Sequence, residues 1–122
     1  MVETAAQIDA LFERELARIT QADLVALIQR LRVVTRKEDR PWDYGAKDQT
    51  FPCWIVLEHR ASNTGVAYCS SGFGPRDPWG LLFLTGPHMS MGMDSGWFVS
   101  LEDAVRDSKA WDGEDPPGYS VG

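Results

Sequence analysis

Apolar residues recur at helical spacing early in the chain and at strand spacing through its middle. Ile8, Leu11, Phe12, Leu16 and Ile19 form one stripe, with the charges on the other faces. Thr4 followed by Gln7 has the form of a capping box, so a helix is expected to start there. Leu24, Leu27, Ile28 and Leu31 form a second stripe, and Thr20 with Asp23 supplies a cap-like signal between the two. Two amphipathic helices joined at or near Thr20 are predicted; one long kinked helix fits the same stripes.

From Thr35 to Thr50 the chain is polar, TRKEDRPWDYGAKDQT, and is predicted as a loop anchored by Trp42 and Tyr44. CWIVLEHR (53–60) and VAYCS (66–70) flank ASNTG, which predicts a β-hairpin. GLLFL (80–84) reads as a strand buried on both faces, and GWFVS (96–100) as a further strand. Between the hairpin and GLLFL, GFGPRDPWG must be a rigid, non-repetitive turn. Ser100 is placed to cap a short helix through SLEDAVRDSKAW, with Asp103 at its third position. The tail over 112–122 is expected to be mobile. The predicted fold is one α+β domain over 1–122: two N-terminal helices, an antiparallel sheet of about four strands and a short C-terminal helix.

Length and composition add limits rather than a function. At 122 residues, 43% hydrophobic and 25% charged, the chain can bury a core without staples. No apolar run approaches the roughly 20 residues of a membrane helix, and MVETAAQIDA lacks a signal-peptide pattern, so a cytoplasmic location is expected. The net charge is -6 and unevenly spread: residues 1–50 carry eight basic and nine acidic groups, residues 51–122 four and nine. A nucleic-acid partner would need a basic stripe, and none is visible.

Candidate chemistry is sparse. Met89, Met91 and Met93 alternate beside His88, a pattern that could suit a soft metal. On an extended strand, however, the sulfurs and His88 would point to opposite faces, which favours packing or an adaptable binding patch. If Leu57 faces Cys69 in the hairpin, Cys53 lies roughly 13 Å from Cys69, too far for a disulfide. The same register makes His59 and Cys69 diagonal neighbours, without the cations an activated thiol needs. Gly72 and Gly74 do not make a phosphate loop, since prolines follow and a P-loop lysine is missing. No metal, cofactor or catalytic residue is assigned.

The C-terminal stretch is acidic and aromatic. Asp94, Trp97, Glu102, Asp103, Asp107 and Trp111 are the candidate partner-binding residues, where aromatic anchors supply affinity and acids supply rate and register. CWIVLEHRASNTGVAYC, GFGPRDPWGLLFL and SMGMDSGWFVSLEDAVRDS together resemble small bacterial immunity proteins, which neutralise toxin domains in contact-dependent growth inhibition and related systems. The resemblance covers about residues 53–110 and rests on size, acidity and a Trp-rich sheet. It implies an inhibitor that binds its toxin through a specific, charge-complementary surface; the acidic excess and the lack of catalytic motifs add the expectation of a non-enzymatic protein facing a basic toxin such as a nuclease. The alternatives from the residues are a small cytoplasmic enzyme and a homo-oligomeric scaffold protein.

Overall fold

The structure is a computed structural model that describes residues 3–42, 49–71, 73, 75–87, 89–90 and 96–113. Helix α1 spans Ala5–Arg18 and opens on the expected capping box. The Thr4 hydroxyl accepts the Gln7 N–H at 3.3 Å, and the Gln7 side chain accepts the Thr4 N–H at 2.9 Å. Helix α2 spans Ala22–Leu31. Its start differs from expectation: Gln21, not Thr20, is the N-cap, without a side-chain cap bond, and Asp23 accepts the Leu24 N–H.

Five strands follow in a simple antiparallel meander: β1 Arg32–Pro41, β2 Thr50–His59, β3 Thr64–Tyr68, β4 Trp79–Phe83 and β5 Gly96–Phe98. Helix α3, Leu101–Arg106, closes the described chain. Ser100 caps α3 by accepting the Asp103 N–H at 3.1 Å, but the helix ends at Arg106 rather than running to Trp111. The fold is α+β, with the helices where the apolar stripes placed them. Among the described residues no helix is long and apolar enough to cross a membrane. Residues 114–122 of the expected mobile tail lie outside the described residues.

The expected loop over 35–50 is corrected, because its first half is β1. β1 is an outer strand of the sheet, where charged side chains discourage pairing with other chains. Its inward-facing positions hold Arg36, Glu38 and Arg40, opposite Ile55, Cys53 and Phe51, so no apolar alternation marks it.

The three helices cover one face of the sheet. Ile8, Phe12, Leu24 and Ile28 pack there with Trp54, Val56, Leu57 and Trp79, joined by Leu101 and Val105 from α3. Each such side chain contributes roughly 1.5–3 kcal/mol by leaving water. The other face holds a second, smaller core of Cys53, Ile55, Ala67, Cys69 and Leu82, flanked by Val33, Trp42, Phe51 and Trp97.

Strong coiling of the sheet closes that second core. Arg40 pairs with Phe51 at one end of β2, whereas Phe83 pairs with Thr64, which pairs with His59 at the other end. On a flat sheet these corners would lie roughly 30 Å apart. Yet Arg40 donates to the Phe83 carbonyl at 2.9 Å. Two bulges, between Arg32 and Arg36 on β1 and between Ile55 and Leu57 on β2, add the local twist this requires. The β2 bulge also turns Val56 and Leu57 to the same core, so Cys53 and Ile55 face one side and Leu57 the other.

Candidate functional site

The predicted patch divides across the sheet. On β5, Trp97 stands opposite Gly80 and turns into the second core, while Phe98 packs against the helix-side core. Helix α3 also lies on the helix side, so Trp97 is separated from Glu102, Asp103, Asp107 and Trp111. Asp94 lies outside the described residues, as do His88, Met91 and Met93. Met89 is half-buried, and its carbonyl accepts from Arg40 at 3.0 Å.

Around α3 the acids are partly committed to structure. The buried Arg106 guanidinium binds Glu102 at 2.9 Å and the Gln21 amide oxygen at 2.7 Å, and lies 5.8 Å from the Trp111 ring. This clamp ties α3 to the α1–α2 connection and places Trp111 against the core. Asp107 and Asp112 reach solvent, and Asp103 is half-exposed.

A second cluster, which joins Trp42 and Trp97 to Phe51 and Phe73, two residues the sequence did not single out, lies at the end of the sheet where β2 begins. Trp42, just past β1, holds its N–H on the Gln49 carbonyl at 3.2 Å. Its ring meets Phe51 at 5.9 Å and Phe73 edge-on at 5.0 Å, and Phe73 meets Trp97 at 6.1 Å. Phe73 stands on the β3–β4 connection, whose turn is held by the Asp77 N–H on the Phe73 carbonyl. Trp97 is held by Gly80, where an added Cβ would come within 2.6 Å of the indole. All four rings remain partly exposed, Phe73 by 36%. The expectation that Trp42 anchors its segment is met; Tyr44 lies outside the described residues.

Beside this cluster runs a ladder of alternating charge, Arg60–Glu58–Arg36–Glu38–Arg40. Burial works against the Glu38 carboxylate, but hydrogen bonds from Arg36 and Arg40 outweigh it and hold its pKa below the usual value. Burial likewise opposes the Arg36 charge, and the bonds to Glu58 and Glu38 win, raising its pKa.

The cysteine geometry corrects the expected register. The hairpin closes through a 3-10 turn, Arg60–Ser62, with Asn63 left-handed at φ 57°, so His59 pairs with Thr64. With the bulge, Trp54 pairs with Tyr68, and one further step sets Cys53 opposite Cys69. The thiols are therefore neighbours rather than roughly 13 Å apart, and each reaches a main-chain carbonyl, Cys53 Sγ that of Phe51 at 3.8 Å and Cys69 Sγ that of Ser71 at 3.7 Å. Interaction with the Cys69 sulfur, together with burial, pushes the Cys53 pKa far up. The adjoining Cys53 thiol draws the Cys69 pKa down, against its own burial.

His59 and Cys69 consequently sit at opposite ends of the hairpin, and the diagonal pairing expected for them does not form. His59 Nδ1 meets the Ser62 hydroxyl at 2.7 Å, which meets the Thr64 hydroxyl at 2.6 Å. The adjoining cavity, about 10 Å³ between Leu57, Leu81 and Val105, holds no more than about one water. Among the described residues no three His, Cys, Asp or Glu side chains gather into a metal site. Comparison with protein-family models, curated proteins and solved structures returned no match.

Proposed function

We propose that this chain is a binding protein that neutralises a cognate bacterial toxin domain, an immunity protein in kind, with the aromatic end of the sheet as its anchor. The observation that carries the reading is the row of ring contacts Phe51–Trp42–Phe73–Trp97, which leaves four large apolar rings partly in water. Clustered, rigid aromatics of this sort supply most of the affinity in protein interfaces. The acidic excess of residues 51–122 adds attraction toward a basic partner and speeds encounter. Inhibition is steric and electrostatic, and requires no catalytic group on this chain.

Of the expected partner-binding residues, Trp97 belongs to this aromatic end, while Asp107, with Asp112, supplies outlying charges. Co-expression with the toxin domain encoded beside this gene tests the reading: rescue of growth and a complex at micromolar concentration are expected. Phe73→Asp should abolish both without unfolding the protein. Absence of rescue and of a complex with the native chain overturns the proposal.

A further inference from the structure

The second core contains a reactive pair that the binding reading does not use. Cys53 on β2 and Cys69, the residue just past β3, lie one step beyond the paired residues Trp54 and Tyr68, and both are fully buried. The Cys69 N–H bonds to the Pro78 carbonyl, on the opposite side, at 2.8 Å. Since N–H and C=O of one strand residue point the same way, Cys69 directs neither toward Cys53. Continuing the β2–β3 ladder by one step makes the two a narrow, non-hydrogen-bonded antiparallel pair, a kind whose Cα atoms lie about 4.5 Å apart. A disulfide spans Cα separations of about 4.4–6.8 Å, so this pair can be bridged where it stands.

We infer that Cys53 and Cys69 are a redox-active dithiol that closes into a disulfide between β2 and the end of β3 on reaction with hydrogen peroxide. In the first step the Cys69 sulfur, favoured as thiolate by the adjoining Cys53 thiol, attacks one peroxide oxygen. The O–O bond breaks, the leaving oxygen departs as water after taking a proton, and Cys69 becomes a sulfenic acid. The Cys53 sulfur then attacks the Cys69 sulfur: the S–S bond forms, the S–O bond breaks, and a second water leaves. Two thiols lose two hydrogens while one peroxide is reduced to two waters. Burial makes the reaction wait on local opening of the cover over this face. The bridge would tie together the strand ends from which Phe51 and Phe73 extend. This inference stands independently of the proposed binding function.

Treatment of the reduced native chain with hydrogen peroxide, followed by intact-mass measurement and peptide mapping, tests it. The expected product is a monomer lighter by two hydrogens, with Cys53 linked to Cys69 and both protected from alkylation until a reductant is added. Its thermal midpoint should rise by roughly 10 °C and fall back on reduction. The rate should increase in urea too dilute to unfold the protein. Cys53→Ser and Cys69→Ser should each lose the midpoint rise; the mass and mapping on the native chain decide the matter even where a variant fails to fold. Addition of oxygen without loss of two hydrogens, disulfide-linked dimers, a lowered midpoint, or inert thiols even in dilute urea would each overturn the inference.

Discussion

Arg40 on β1 donates to the main-chain oxygen of Phe83 on β4 at 2.9 Å, across two intervening strands. The same guanidinium binds Glu38 at 2.7 Å and the Met89 carbonyl at 3.0 Å, and the residue is only 2% exposed. Arg40 thus ties two corners of a coiled sheet over its second core. Arg40→Ala leaves buried carbonyls without a donor and should cost roughly 3 kcal/mol. Arg36→Ala, at a more exposed rung of the same ladder, should cost less than about 1 kcal/mol. Urea denaturation of both variants measures the contrast, and equal losses would refute the role given to Arg40.

Gly80 is a glycine because the Trp97 ring occupies the space of its side chain. Gly80→Ala places a Cβ 2.6 Å from that ring and should destabilise by about 1–3 kcal/mol. Trp97→Ala should also destabilise, yet the double variant should lose less than the sum, because removing the ring removes the clash. A double-mutant cycle of thermal or urea midpoints reads this coupling.

Glu38 makes stability depend on acid. Its folded pKa lies below its unfolded value, so its contribution is complete above that unfolded value and fades as pH falls through the folded one. Urea midpoints should therefore decline below about pH 4.5. The decline should be shallower in Glu38→Gln, whose neutral amide has no such titration.

Trp54 offers a test of burial without hydrogen bonding. Its indole N–H is buried and has no hydrogen-bond partner among the described residues. Trp54→Phe therefore removes an unsatisfied donor along with some volume, and the change should stay within about 1.5 kcal/mol. Ile55→Ala, at the neighbouring fully buried position, should cost about 2–5 kcal/mol. Chemical denaturation of the two variants compares them directly.

What the sequence determined by itself is what short-range periodicity and capping can express. The stripes at Ile8–Phe12–Leu16 and Leu24–Ile28 marked two helices, Thr4 and Ser100 marked helix starts, and the apolar runs marked β2, β3, β4 and β5. β1 escaped because its inward positions hold Arg36, Glu38 and Arg40, paired with one another and with Glu58 of β2, so no apolar alternation marks the strand. The tertiary structure decided the rest. One bulge and a tighter hairpin turn shifted the β2–β3 register, bringing Cys53 to Cys69 and parting Cys69 from His59, since a strand's faces exchange with every single-residue slip. Strand alternation at β5 sent Trp97 to one face and the acids of α3 to the other, dividing a patch that was contiguous in sequence. Coiling of the sheet then gathered Trp42, Phe51, Phe73 and Trp97 from four separate segments, a convergence that depends on long-range pairing and leaves no local pattern in the chain.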